Sequence, residues 1–143
     1  MAVETKLRAY LGYLLTEAER AVNRGFAENL AAERVSVEQW RILQALSDGH
    51  GHSMGDLAAA ALMPHPTLTK AVDRLVDDAL VYRRQDDVDR RRVAVFLSDR
   101  GRHLVRRLDR IAEAHHRAVE DGYGTQRTER LMRELARLVD SLA

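Results

Sequence analysis

Cysteine is absent from this chain of 143 residues. Disulfides, thiolate zinc sites and peroxide sensing through a reactive sulfur are therefore excluded by chemistry alone. No stretch approaches the roughly 20 consecutive apolar residues that a membrane helix requires, so no membrane partner is expected. The opening Met-Ala-Val-Glu-Thr-Lys has neither a short apolar core nor a small-residue cleavage pattern, so no signal peptide is read and a cytoplasmic location is expected. A glycine-rich phosphate loop, a nucleophile elbow and a paired-carboxylate spacing are also missing. An enzyme is not expected, and no catalytic residue or cofactor can be nominated. Lysine is scarce as well: only Lys6 and Lys70 occur, and arginine supplies the remaining basic charge. A bias of that kind can follow from genome composition and is not counted as recognition chemistry.

What remains is one ordinary domain's worth of chain, 45% apolar and 31% charged, enough for a single core. The net charge of +1 is uninformative, because binding depends on where charge sits. Apolar residues at spacings of three and four from Leu7 to Val22 predict a long amphipathic first helix over 6–30. Ser36-Val-Glu-Gln39 reads as a capping box opening a second helix to about Ser47, with Trp40, Leu43 and Leu46 inward and Asp-Gly-His-Gly as its stop. Ser53 caps a short third helix. Pro64 and Pro66 interrupt the chain, and Pro66 suits the beginning of a fourth helix from about His65, since its missing amide has no partner there. Alternation from Val93 to Leu97 and the run Val81-Tyr-Arg-Arg84 predict two strands joined by a long charged loop. Ser98 caps a fifth helix, and a sixth follows the Asp-Gly-Tyr-Gly break at 121–124.

The fourth helix buries Leu68, Ala71, Val72 and Leu75 and turns Thr67, Lys70 and Arg74 the other way, with Thr69 and Asp73 beside them. A short helix with a polar face, entered by a tight turn and followed by a charged hairpin, is how a winged helix-turn-helix grips duplex DNA. The fold class expected is mainly α with a small β-hairpin: a winged helix-turn-helix over 36–98, flanked by dimerisation helices at 1–35 and 99–143, one compact domain overall. His65, Pro66, Thr67, Thr69, Lys70 and Arg74 form the expected recognition surface, because side chains at such a helix's N-terminal end reach base edges. Arg84, Asp89, Arg90, Arg91 and Arg92 form the expected wing surface. An aspartate there can hold one guanidinium bidentately while another reaches into the electronegative minor groove. Arg91 is the expected inserted residue, with Arg90 or Arg92 on phosphate. Ser36 and Ser53 are helix caps expected near the DNA.

The terminal helices carry more apolar stripe than the central unit can cover, which predicts a homodimer. The bland alternatives are a self-contained bundle for these helices and a solvated polar face for the fourth one. Six histidines invite a metal site, but His115 and His116 are adjacent on one helix and point about 100° apart. His50 and His52 sit in a glycine loop, so no metal ligand set is assembled.

The order of elements, Val37-Glu-Gln-Trp-Arg-Ile-Leu43, the helix Thr67-Leu-Thr-Lys-Ala-Val-Asp-Arg-Leu75, and the wing with Asp89, Arg91 and Leu97 together resemble the MarR family of bacterial transcriptional regulators. The likeness covers nearly the whole chain. Ser98 replaces the family's usual threonine and keeps the hydroxyl, whereas Ala79 replaces the glycine usual after the recognition helix. The resemblance implies a homodimer on a pseudo-palindromic operator, usually repressing. It also implies possible release by a small aromatic, acidic effector, for which Tyr10, Tyr13, Leu14, Trp40, Arg41 and Leu108 are the expected contacts. A relative acting through protein contacts alone is the competing function, and its sign would be a neutralised wing and recognition helix. Arg90, Arg91, Arg92, Lys70 and Arg74 are all still basic.

Overall fold

In the computed structural model, which describes residues 6–143, the chain runs through six helices and three strands. They are α1 (Leu11–Ala31), α2 (Val37–Ala45), β1 (His52–Ser53), α3 (Met54–Ala61), α4 (His65–Asp77), β2 (Val81–Gln85), β3 (Val93–Leu97), α5 (Asp99–Tyr123) and α6 (Thr125–Leu142). The chain divides into two compact units. One is Ala27–Arg110; the other joins the chain up to Phe26 with Ile111–Ala143. The division falls inside α1 and α5.

Within Ala27–Arg110, the expected caps are in place. The Ser36 hydroxyl accepts from the Gln39 amide and the Gln39 side chain accepts from the Ser36 amide, each at 3.1 Å. Such a reciprocal cap satisfies two amides that the first helical turn leaves without partners. Ser53 accepts from the Asp56 amide at 3.1 Å, and Ser98 accepts from the Gly101 amide at 3.0 Å while donating to the Ala79 carbonyl at 2.7 Å. The three helices α2, α3 and α4 pack on one another, and α4 packs on β2. Their shared interior is Ile42, Leu43, Leu46, Leu57, Leu68 and Leu75, all essentially inaccessible.

The sheet has three strands where a two-stranded hairpin was expected. β3 lies in the centre, antiparallel to both neighbours, with Val81 opposite Leu97 and Arg83 opposite Val95 on one side, and His52 opposite Val95 on the other. A two-residue strand leaves no alternation to read, which is why β1 escapes sequence analysis. Its position is set by the loop before it. The Asp48 carboxylate accepts from the His50 amide at 2.9 Å and meets the His52 ring at 2.7 Å. The His50 amide first, then His52, hold its carboxyl below the usual carboxylate range. That contribution is present above the unfolded carboxylate pKa of about 3.9 and is lost as pH falls through the lower folded value. Gly51 follows, and a Cβ there would lie 2.2 Å from the Phe96 ring, so the loop's approach to β3 requires glycine.

Val95 and Leu97 point into the core as the alternation predicts. Ala94, on the opposite face, is buried too, whereas Val93, on the face of Val95 and Leu97, is half exposed.

The recognition helix leaves through a left-handed residue, as the resemblance requires, but that residue is Ala79, at φ 59°. An L-residue in that region costs about 1–2 kcal/mol, and glycine loses part of this advantage through its unfolded-state freedom. Ala79→Gly is expected to stabilise the protein by about 1 kcal/mol, read as a higher midpoint in urea denaturation with an unchanged slope. A lower midpoint would mean that the alanine methyl contributes packing that offsets its backbone strain.

Candidate nucleic-acid interface

The turn between α3 and α4 is built from Leu62, left-handed at φ 58°, with the Met63 amide donating to the Ala58 carbonyl at 3.0 Å. Pro64 then caps α4 in an extended conformation. The helix starts at His65 as expected, with Pro66 in its first turn. Leu68, Val72 and Leu75 are buried, while His65, Pro66, Thr67, Thr69, Lys70, Asp73 and Arg74 are all exposed. The expected recognition residues therefore share one solvent-facing side. Among the described residues neither Lys70 nor Arg74 is ion-paired. The Thr69 hydroxyl donates to the His65 carbonyl at 3.0 Å, so its proton is engaged within the helix.

Ser36 and Gln39, at the start of α2, line a groove of about 430 Å³ together with Lys70, Ala71 and Arg74. The cap expected near DNA thus shares a surface with the two basic residues of α4. Ser53 starts α3, the helix preceding the turn.

The wing is the loop between β2 and β3. The Asp86 amide donates to the Arg92 carbonyl at 2.9 Å and the Asp86 carboxylate accepts from the Val88 amide at 3.0 Å, which closes the loop on itself. Asp89 differs from expectation. It does not hold one guanidinium bidentately but takes Arg91 Nε on one oxygen at 3.3 Å and Arg92 Nε on the other at 3.7 Å. It also accepts from the Arg91 amide at 3.1 Å. Arg91, expected to reach out freely, is lightly tethered; its side chain is still 92% exposed, and exposed pairs of this kind contribute about 0–1 kcal/mol. Arg90 is the wing arginine without an ion pair among the described residues.

Two arginines at the base of the wing are committed to holding it. Arg83 reaches Asp73 of α4 at 2.5 Å, a strut between recognition helix and wing that sequence reading missed. Its signal was available only as two opposite charges ten residues apart, with nothing to show that strand and helix face each other. Arg84, expected on DNA, lies over the Phe96 ring at 4.4 Å and pairs with Asp87 at 3.3 Å. Tyr82 stacks on the same Phe96 with centroids 5.4 Å apart. The arrangement is a wing with Arg90, Arg91 and Arg92 at its tip and an adjacent helix with Lys70 and Arg74 outward. This is a surface that can meet phosphates and base edges together.

The expected effector contacts lie in both units. Tyr10 and Leu14 are exposed and Tyr13 half-buried in the unit ending at Phe26; Trp40 and Arg41 are half-buried in Ala27–Arg110. Leu108 is buried in Ala27–Arg110. Among the described residues no cluster of three or more potential metal ligands occurs.

Residues 35–92 match the model of the MarR family. A solved structure of a MarR family transcriptional regulator from Silicibacter pomeroyi is 30% identical, with 98% of this chain and 100% of that one covered and a TM-score of 0.85. The chain belongs to the MarR family. It is also 29% identical to the HTH-type transcriptional regulator FarR of Neisseria gonorrhoeae over 90% of both chains. A structure of NadR in complex with 4-hydroxyphenylacetate is 28% identical, covering 96% of this chain and 97% of that one with a TM-score of 0.77. This MarR-family protein is accordingly a DNA-binding transcriptional regulator.

Replacing Arg91 with alanine is expected to weaken operator binding by roughly 1–3 kcal/mol without changing the unfolding midpoint, since the side chain is solvated in the free protein. Fluorescence anisotropy with labelled operator measures it, and unchanged affinity would assign the wing contact to Arg90 instead.

Proposed function

We propose that this protein is a homodimeric repressor that binds a pseudo-palindromic operator and is released by a small aromatic carboxylate. The observation that carries the dimer is burial. Among the described residues, every buried apolar side chain except Phe26 belongs to Ala27–Arg110. The other unit exposes Tyr10, Leu11, Leu131, Met132, Val139 and Leu142, so its helices have no sufficient core of their own. A two-fold partner supplies what is missing, since most soluble oligomers are closed homodimers. Two-fold symmetry then presents two recognition helices to DNA, and matching successive major grooves about 34 Å apart selects a two-fold operator.

Repression follows from occupancy: a dimer seated on two turns of a promoter excludes polymerase from the same base pairs. The effector reading rests on the bound ligand of NadR and on Arg41 and Trp40, neighbours in α2, which offer a cation and an aromatic face. An effector works only if it binds one state more tightly than the other, here a dimer whose recognition helices no longer match the groove spacing.

The deciding experiment is nuclease footprinting of the purified protein on tiled fragments of its own upstream region, at two salt concentrations and against random competitor DNA. A competitor-resistant footprint over two adjacent groove turns, on an inverted repeat, is expected. Weak, salt-sensitive and sequence-independent binding throughout would contradict specific operator recognition in that region.

A further inference from the structure

One face of the sheet carries a stack centred on Phe96. Tyr82 and Arg84 lie two residues apart on β2 and so share that face; Tyr82 stands directly opposite Phe96, and Arg84 is its diagonal neighbour, opposite Ala94. The Tyr82 and Phe96 rings are 12° from parallel with centroids 5.4 Å apart, and the Arg84 guanidinium carbon lies 4.4 Å from the centre of the Phe96 ring. The same guanidinium donates to the Asp87 carboxylate at 3.3 Å. A planar cation can do both, stacking with its face while an edge N–H meets a carboxylate. Arg84 therefore joins Phe96, near the end of β3 remote from the wing, to Asp87 in the wing loop.

Phe96 is itself seated by the loop before β1. A Cβ on Gly51 would lie 2.2 Å from its Cζ and 2.5 and 2.7 Å from its two Cε atoms, so the tip of the ring fills the space that any side chain at 51 would need. That loop is held in turn by Asp48, on the His50 amide and the His52 ring, and His52 pairs with Val95 beside Phe96. A continuous path thus runs from the Asp48 loop through Phe96 and Arg84 to the wing. At the far end, the Asp86 amide donates to the Arg92 carbonyl at 2.9 Å and the Arg92 amide to the Asp89 carbonyl at 3.0 Å. The segment carrying Arg90 and Arg91 therefore leaves from and returns to the base that Arg84 and Asp87 hold. The Arg91 side chain is 92% exposed and Val88 95%, so the tip is solvated and takes its direction from that base.

We propose that Phe96 is a positioning residue for DNA binding: its ring holds Arg84, and through Arg84 and Asp87 the base of the wing loop, so that Arg90, Arg91 and Arg92 are presented in one orientation. Arg84 then serves DNA binding by aiming the tip and not by meeting phosphate. The inference rests on the reading of the wing as a DNA contact.

The chain has no cysteine, so Val88→Cys gives a single attachment point for a nitroxide at the wing tip, whose paramagnetic resonance spectrum reads wing motion without DNA. Phe96→Leu, which keeps an apolar side chain but no ring, is expected to shorten the label's correlation time at least about twofold. Arg84→Ala, and Gly51→Ala through displacement of the ring, are expected to do the same, and Phe96→Leu combined with Arg84→Ala no more than either alone. Unfolding curves confirm that each variant folds. On a random-sequence duplex, the unlabelled Phe96→Leu protein is expected to bind roughly two- to fivefold more weakly, the size of an exposed cation–π contact. It is expected to lose nothing further once Arg90, Arg91 and Arg92 are all alanine, whereas a merely structural role would weaken both backgrounds alike. Unchanged label motion in folded Phe96→Leu, additive effects of Phe96→Leu and Arg84→Ala, or equal losses with and without the tip arginines would each overturn the proposal. Duplex binding indifferent to removal of the tip arginines would overturn the wing's contact with DNA and with it the use made of Phe96; the nitroxide result, obtained without DNA, tells the two failures apart.

Discussion

The terminal helices lack a core of their own, and the organisation of the molecule as a regulator depends on this. In the unit formed by the chain up to Phe26 and by Ile111–Ala143, the interior among the described residues amounts to Phe26 stacked on His115 at 5.1 Å, with Thr128 the other buried residue. Burial contributes roughly 25 cal/mol for each Å² of apolar surface removed from water. Long amphipathic helices that leave Leu131 nearly half exposed, and Met132 and Val139 more than half, therefore forgo most of that stabilisation as single chains. In the proposed homodimer a second copy would restore it, and the same symmetry would provide two reading heads.

The winged unit, by contrast, is internally complete. Its elements are tied together around α4 by the Ser98 hydroxyl on the Ala79 carbonyl just past the helix, by Arg83 on Asp73 within it, and by β3 paired on both sides in the sheet. Gly101 belongs to the same frame, since a Cβ there would fall 2.1 Å from the Leu80 carbonyl oxygen. Fixing wing and helix together before binding reduces the ordering cost at the DNA, so more of the contact energy appears as affinity. The outward charges at Lys70, Arg74 and Arg90 are then the groups with least prior commitment.

Much of this was legible in the residues. Capping boxes and prolines located the helices because they act within four residues of themselves: Ser36 with Gln39, Ser53 with Asp56, Pro66 at the opening of α4. The recognition face followed from helical spacing, and Lys70 and Arg74 lie on it. What escaped was long-range or short of a period. β1 has two residues, Arg83 meets Asp73 across two elements, and in β3 burial departs from the alternation, with Ala94 buried and Val93 half exposed. Leu108, expected at the cleft from the resemblance, is buried together with Leu104 and Val105 one turn before it in α5. The cost of Ala79 was visible in advance only because the resemblance supplied the glycine it replaces.

The account stands or falls on whether the terminal helices bring two copies together. Sedimentation equilibrium of the purified chain at micromolar concentration measures this directly. A species of twice the 16.2 kDa chain mass, with no monomer on moderate dilution, is the predicted result. A single folded species at the mass of one chain would contradict it, and would mean that the exposed apolar faces of the terminal helices are stable in water without a partner.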